Sequence, residues 1–163
     1  MRNVIAGTCE TALRVLTRLN WLGPLIVRVV FGYFWLETGW AKLHNLDGAI
    51  ARFVDWGLPV PAFTAPFSAS AEFLGGAFLM LGLLTRFTTI AMTINMIVAI
   101  SFVAIKNVGG LDEFVELDEV VDILIFVWLF VAGPGKVSID TLIARRLGIA
   151  TPVTLMSDEV ARR

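Results

Sequence analysis

The chain of 163 residues contains one cysteine and one histidine. The single Cys9 excludes an intrachain disulfide, a paired-cysteine redox motif and a cysteine zinc site. The single His44 cannot supply both axial ligands of a transmembrane b-type haem, and no cysteine or histidine cluster suits iron–sulfur or copper ligation. No glycine-rich loop follows a strand, so the sequence indicates no nucleotide site. We therefore expect no haem, metal or nucleotide cofactor.

The sequence also has few charges and a high apolar content. Charged residues make up 17% of the chain, where about 25% is usual for a soluble domain. Hydrophobic residues make up 57%, and the mean hydropathy is +0.80. A soluble domain of this length could not bury so much apolar surface, so the composition indicates a membrane protein. It excludes a nucleic-acid binder, an ordinary soluble enzyme and a disordered regulator.

Four stretches of the chain have the composition of membrane spans. The third, residues 87–105, has 19 residues without a charge, enough to cross a hydrocarbon layer of about 30 Å. The fourth is shorter and ends at Gly133-Pro134-Gly135, where a helix is interrupted. We therefore predict an all-α fold, a four-helix transmembrane bundle with short interfacial amphipathic helices. The predicted spans are residues 19–41, 62–85, 87–105 and 120–132.

Basic residues are concentrated on one side of this predicted bundle. By the positive-inside rule that side faces the cytoplasm, which places both termini there. We divide the chain into an N-terminal interfacial helix (1–20), a four-helix domain (21–135) and a cytoplasmic amphipathic tail (136–163). The predicted cytoplasmic side carries Arg2, Arg14, Arg18, Arg86, Lys136, Arg145, Arg146, Arg162 and Arg163, and the other side carries Lys42, Arg52 and Lys106.

Glu72 is the most informative charge within the predicted spans. An ionisable side chain inside a bilayer costs about 2.5–3.5 kcal/mol on insertion scales, so it needs a partner or a function. Glu72 aligns with a stripe of small residues, which let neighbouring helices approach closely. We therefore expect Glu72 to face protein and treat it as the candidate proton-exchanging group. Asn95 lies at a similar depth, which predicts a hydrogen-bonded cluster of Glu72, Asn95 and part of the first span.

The first span carries a stripe that joins two cations and two glycines. Glycines permit close backbone approach and cations are costly toward lipid tails, so we predict that the middle of this stripe faces the bundle. We expect Arg28 and Lys42 to reach either opposite interfaces or buried carboxylates. Glu72 is the candidate partner at mid-depth, and Asp122 is the outer candidate for Lys42. A second interpretation of Arg28 stays open, in which its side chain extends to a lipid phosphate. The stripe consists of Arg28, Gly32, Trp35, Gly39 and Lys42.

Tyr33, Glu37 and Trp40 lie on the opposite face of the same span. They cannot all contact the neighbours of the first stripe, so we expect them to meet another helix, a partner protein or a ligand. Quinone rings bind between aromatic walls and a few polar groups, which these residues offer in the outer half of the membrane. The candidate cofactor-binding residues are Arg28, Tyr33, Glu37, Trp40, Lys42, Asn95 and Asp122.

An ordered set of short motifs resembles the DoxX family of small bacterial membrane proteins. The resemblance covers roughly residues 22–142 and implies a four-helix, multi-pass fold in the bacterial inner membrane. The family name derives from a subunit linked to quinol oxidase and thiosulfate:quinone oxidoreductase. Glu37 lies outside the family pattern, so the resemblance gives it no role. The motifs are Leu25-Ile26-Val27-Arg28 with Gly32, Gly39-Trp40-Ala41-Lys42-Leu43, Gly57-Leu58-Pro59, Glu72-Phe73-Leu74-Gly75-Gly76, Gly82-Leu83-Leu84-Thr85-Arg86, Gly133-Pro134-Gly135-Lys136 and Ser138-Ile139-Asp140.

These observations lead to one main hypothesis and two alternatives. The main hypothesis is an integral membrane subunit associated with a quinone-linked redox system, with quinone as the expected organic cofactor. Because the chain has no metal-ligand cluster, we expect a partner redox protein or a homo-oligomer, besides membrane lipid, and no nucleic acid. The alternatives are a non-catalytic scaffold or assembly partner for an oxidoreductase, and a small transporter with Glu72 in its pathway.

Overall fold

The computed structural model describes residues 13–149, and this part of the chain contains helices and no strand. The predicted all-α fold is therefore confirmed. Cys9, the beginning of the predicted N-terminal helix and the end of the predicted tail lie outside the described residues. The helices are Leu13–Leu19 (α1), Leu22–His44 (α2), Leu46–Trp56 (α3), Pro61–Leu81 (α4), Thr85–Phe102 (α5), Leu111–Val115 (α6), Asp118–Ala132 (α7) and Ile139–Arg146 (α8), with a 3₁₀ turn at Ala104–Asn107.

The four longest described helices pack against one another in a closed cycle. Helix α2 packs along α4, α4 along α5 and α5 along α7, and a smaller contact joins α7 to α2. A buried apolar cluster with side chains from all four helices lies between them. The cluster gives each helix an inner face, and the functional side chains described below lie beside it. Its members are Trp35, Leu79, Met92, Met96, Phe126 and Leu129.

Glycines allow α2 and α4 to approach closely. A Cβ atom at Gly39 would collide with the backbone of Phe73, and one at Gly76 would collide with the backbone of Leu36. A Cβ atom at Gly32 would lie 2.8 Å from the carbonyl oxygen of Gly76. The glycine stripe of the first predicted span therefore faces protein, as expected from the small residues that helix contacts in lipid favour.

The outer faces of the long helices are apolar and exposed. Phe63 and Phe67 of α4, Phe87 of α5 and Val131 of α7 are each more than 60% exposed. Exposed apolar surface that is continuous over several helices marks contact with lipid or with another protein. The arrangement therefore fits a helical protein whose outer surface is covered by something other than water.

Only some of the described helices meet the length and hydropathy of a membrane span. Thr85–Lys106 does so alone, with a mean hydropathy of 2.0. Leu13–Leu19 and Leu22–His44 do so together, across a bend of 42°. Helix α7 has 15 residues, which span about 22 Å at 1.5 Å per residue. The four predicted spans are thus helices in the structure, but no more than two of them meet these criteria for a membrane span.

Candidate functional site

Helix α4 places the carboxylate of Glu72 between α2 and α5. The residue is 2% exposed, and its Oε1 lies 2.6 Å from Nζ of Lys42. The two residues lie on different helices, and the glycine contacts around Gly39 bring those helices close enough for the ion pair to form. Lys42 lies in the last turn of α2, and its side chain is 23% exposed. The pair therefore joins a buried carboxylate to a cation that reaches the surface.

Two neutral side chains complete the polar cluster around Glu72. Nδ2 of Asn95 donates to Glu72 Oε1 at 3.3 Å. Oγ of Ser68 lies 3.3 Å from Glu72 Oε1 and 2.9 Å from Asn95 Oδ1. Because a hydroxyl has one proton, Ser68 donates to one of these oxygens at a time. The cluster that the sequence predicts from Glu72, Asn95 and the first span is thus present, with Lys42 as the member from α2.

The two oxygens of Glu72 have different surroundings. All the hydrogen bonds and the ion pair converge on Oε1, whereas Oε2 is buried without a hydrogen-bond partner among the described residues. An unpartnered buried oxygen is unfavourable in an ionised carboxylate, and it is a position where a proton can bind. The carboxylate is therefore held beside a cation through one oxygen, while its other oxygen has no hydrogen-bond partner among the described residues.

An open groove of about 470 Å³ lies on the other side of Lys42. Five of its lining residues recur on one face of α2 with spacings of three or four residues, as expected for a helix. The apolar part of its wall includes Phe34, and its charged groups are Glu37, Lys42 and Arg52. The guanidinium of Arg52 is exposed and makes no hydrogen bond or ion pair within residues 13–149. The lining residues are Phe34, Glu37, Thr38, Ala41, Lys42, Asn45 and Arg52.

The groove does not include two of the predicted aromatic residues. Tyr33 and Trp40 are 56% and 52% exposed and are absent from its lining. Trp40 instead packs against His44, with ring centroids 3.8 Å apart, and against Phe73 at 5.7 Å. The prediction that Tyr33 and Trp40 share a pocket with Glu37 is therefore wrong for this groove. Its aromatic wall is Phe34, one turn of α2 before Glu37 and on the same face.

Arg28 lies at the opposite end of α2, about 21 Å from Lys42 along the helix axis. Its side chain is fully buried, with Nη2 donating to the carbonyl of Val137 and Nε to that of Pro24. Arg28 does not contact Glu72, the candidate partner at mid-depth, because it lies near the start of α2, and Glu72 pairs with Lys42 near the end of that helix. The burial of Arg28 also contradicts the interpretation that its side chain extends to a lipid phosphate.

Asp122 is the second residue that the structure separates from the predicted site. It is half-buried in the second turn of α7 and makes no hydrogen bond or ion pair with the described residues. The proposed pairing of Asp122 with Lys42 is wrong, because the ammonium group of Lys42 pairs with Glu72. The nearest charges that act on Asp122 are the carboxylates of Asp118 and Glu119 in the same helix.

Sequence reasoning missed two residues that the structure places in or beside the site. Ser68 precedes Glu72 by four residues, so helical spacing alone puts its hydroxyl one turn away on the same face. Arg52 carries no comparable signal. Its position depends on the turn at Asn45, where the side chain accepts a hydrogen bond from Gly48 N at 3.1 Å and starts α3.

The helical fold with its exposed apolar outer faces fits a membrane protein, and comparison with protein families specifies the family. Residues 23–105 match the family model described as DoxX. Residues 65–160 match the model described as TQO small subunit DoxD. The chain belongs to the DoxX family and is a membrane protein. The resemblance seen in the sequence motifs is therefore confirmed.

Individual relatives span most or part of the chain. Inner membrane protein YqjF of Escherichia coli (strain K12) is 28% identical over 130 residues, which is 79% of this chain and 98% of that protein. Uncharacterized membrane protein Rv3486 of Mycobacterium tuberculosis is 26% identical over 75% of this chain and 82% of its own length. "Putative oxidoreductase CatD" of Bacillus subtilis (strain 168) is 33% identical over 52% of this chain and 62% of its own length. No solved structure matches the chain.

Proposed function

We propose that this protein is an integral membrane subunit of a quinone-linked redox system in the bacterial inner membrane. The observation that carries the proposal is the ion pair of Lys42 and Glu72, which joins a buried carboxylate on α4 to a partly exposed ammonium on α2 beside an open groove. The match to the TQO small subunit DoxD and the similarity to CatD, named as an oxidoreductase, support a redox role. The family and the relative named as an inner membrane protein support the location.

The energetics of the ion pair favour a chemical role over a purely structural one. Replacing a buried ion pair by apolar residues of similar volume is often neutral or stabilises a protein by about 1–4 kcal/mol. A purely structural contact between α2 and α4 would therefore not require Lys42 and Glu72. We propose that Glu72 is the proton-exchanging group, with its unpartnered Oε2 as the atom that takes up the proton.

The groove has the chemical groups that a quinone requires. A flat ring fits against Phe34, while Lys42 and Arg52 offer N–H donors for ring oxygens and Glu37 offers an acceptor for a ring hydroxyl. A bound quinone would supply the two-electron, two-proton chemistry of the system. The electrons pass to or from a partner redox protein, because one cysteine and one histidine are the only thiolate and imidazole ligands in the sequence, too few for a haem or an iron–sulfur cluster.

We propose a four-helix transmembrane bundle of α2, α4, α5 and α7 with both termini in the cytoplasm. The contact between Arg28 and Val137 supports this arrangement, because it joins the start of α2 to the segment before α8. The same end of the molecule contains the turn between α4 and α5, where Asp140 accepts hydrogen bonds from the backbone of Leu84 and Thr85. Four basic residues cluster near this end, as the positive-inside rule requires of a cytoplasmic face. They are Arg86, Lys136, Arg145 and Arg146.

Co-purification from native membranes tests the proposal. The tagged protein is isolated in mild detergent, its partners are identified by mass spectrometry, and its quinone is extracted and quantified. The control is the double variant Lys42→Met/Glu72→Leu, which keeps side-chain volume and removes the ion pair. We expect the native chain to bring down a redox enzyme and quinone, and the variant to lose the quinone. A partner without quinone would favour the scaffold role, and neither partner nor quinone would contradict the proposal.

A further inference from the structure

We propose that Lys42 and Arg52 together bind the oxygen atoms of the ligand in the groove, and that Glu72 is the positioning residue that holds Lys42 there. The inference rests on the quinone-linked function proposed above. It specifies that Lys42 and Arg52 act together on the ligand oxygens and gives Glu72 a role that does not require contact with the ligand.

The geometry separates the residue that can contact a ligand from the residue that cannot. Lys42 lines the groove, whereas Glu72 is 2% exposed and does not line it. An ammonium group has three N–H donors, and Glu72 Oε1 accepts one of them at 2.6 Å. Two donors therefore remain for the groove. A lysine stem is long and flexible, so without its buried partner the ammonium would be free to leave the groove for water.

Arg52 supplies the second cation from a separate helix. It is exposed, and its guanidinium makes no hydrogen bond or ion pair with the part of the chain that the structure describes. Helix α3 holds it in place, because Phe53 and Ala49 of α3 pack on Ala65 of α4. A charge on a packed helix that faces a cavity without a protein partner is well placed to bind a ligand.

The lining defines the chemistry of the ligand. Lys42 and Arg52 give the groove two positive charges against the single carboxylate of Glu37, and Phe34 and Ala41 add apolar surface. Lys42 is the cation that pairs with Glu72, since the other side chains that bond to this carboxylate, Ser68 of α4 and Asn95 of α5, are neutral. The groove therefore fits a ligand with an apolar body and oxygen acceptors, a chemistry shared by a quinone ring and an anionic lipid headgroup.

A charge-swap variant separates recognition from structural pairing. In Lys42→Glu/Glu72→Lys the ion pair is retained with its charges exchanged, so the groove is lined by a carboxylate. The protein is reconstituted in nanodiscs of neutral lipid, and a short-chain ubiquinone is titrated by calorimetry. We expect the swap to recover the thermal stability lost in Lys42→Glu alone. Its affinity should remain at least about tenfold weaker than that of the native chain, since hydrogen bonds to charged groups contribute about 1.5–3 kcal/mol.

Arg52→Gln provides an independent test, because Arg52 is exposed and its replacement removes no hydrogen bond or ion pair among the described residues. We expect about a tenfold loss of quinone affinity at an unchanged melting temperature, and the matched control Arg146→Gln on α8 should leave the affinity unchanged. Repeating the titration with phosphatidylglycerol in the nanodiscs distinguishes the two ligand sources. If the headgroup is the ligand, the anionic lipid displaces the quinone, and Lys42 and Arg52 variants abolish the displacement.

The outcomes separate this inference from the proposed function. If the quinone affinity of Arg52→Gln, or of the charge-swap variant, equals that of the native chain, the inference is overturned. The quinone-linked function then still stands. If the folded native chain binds neither quinone nor anionic lipid, the groove is not a ligand site. The proposed quinone association then fails together with the inference.

Discussion

The ammonium of Lys42 lies 2.6 Å from the carboxylate of Glu72, across the interface where glycines bring α2 and α4 close together. The carboxylate is buried, whereas the ammonium reaches the edge of an open groove. The pair thus connects an interior carboxylate to a surface that a ligand can reach. This connection is the basis for the proposed function.

Replacing one member of the ion pair is expected to destabilise the protein more than replacing both members. Lys42→Met leaves Glu72 buried without its cation, which should lower the free energy of unfolding by about 3–5 kcal/mol. The double variant Lys42→Met/Glu72→Leu should have a free energy of unfolding near that of the native protein or above it. Denaturant titration in detergent measures both, with Lys136→Met as the control for losing an exposed lysine. Equal losses in the single and double variants would show that charge burial is not the cause.

The contact between α2 and α4 should not tolerate a methyl group at its glycines. Gly39→Ala places a Cβ against the backbone of Phe73, which cannot move as a side-chain end could. We expect a loss of about 1–3 kcal/mol, typical of overpacking. Gly23→Ala is the matched control, because the same helix has open space at that position. It should cost less than Gly39→Ala, since no neighbouring helix meets its Cβ atom. Similar melting temperatures for the two variants would contradict the packing described.

Arg28 should require a guanidinium rather than only a positive charge. It donates from separate nitrogens to the carbonyls of Pro24 and Val137, which a single lysine ammonium cannot reproduce in the same positions. Arg28→Lys is therefore expected to lower the free energy of unfolding by about 1–3 kcal/mol. A fully stable lysine variant would show that the two separate hydrogen bonds of the guanidinium are not required.

Reporter fusions test the proposed topology. A reporter inserted at Val108, after the 3₁₀ turn, should lie on the outer side of the membrane. One fused after Arg163 should be cytoplasmic, since an even number of spans returns the chain to its starting side. Alkaline phosphatase and green fluorescent protein fusions at both positions measure this. Activity of the same reporter at both positions would eliminate the four-span arrangement.

The sequence predicts the helices and the central cluster because both depend on local spacing. Glu72 within small residues, and glycines at helical spacing in α2, indicate which faces meet. The partners of the cations were not predictable in this way. Lys42 and Arg28 lie on the same stripe, and which of them meets Glu72 depends on the axial offset between α2 and α4.

Long-range folding explains the remaining errors. Arg28 meets Val137, 109 residues further along the chain, because the segment after α7 turns back over the end of α2. Arg52 reaches the groove because α3 turns back at Asn45. Neither turn leaves a periodic pattern in the sequence. The observed aromatic wall is Phe34 rather than the predicted Tyr33 and Trp40 for a local reason. A shift of one residue around α2 moves a side chain to a different face of the helix.

Photolabelling with a quinone analogue tests the central claim most directly. An azido-quinone is irradiated with the native protein in nanodiscs, and the labelled peptides are identified by mass spectrometry. The account predicts labelling within residues 34–45 of α2 and near Arg52 of α3, competed by unlabelled quinone and reduced in Lys42→Met/Glu72→Leu. Labelling confined to other helices, or labelling that unlabelled quinone does not compete, would contradict it.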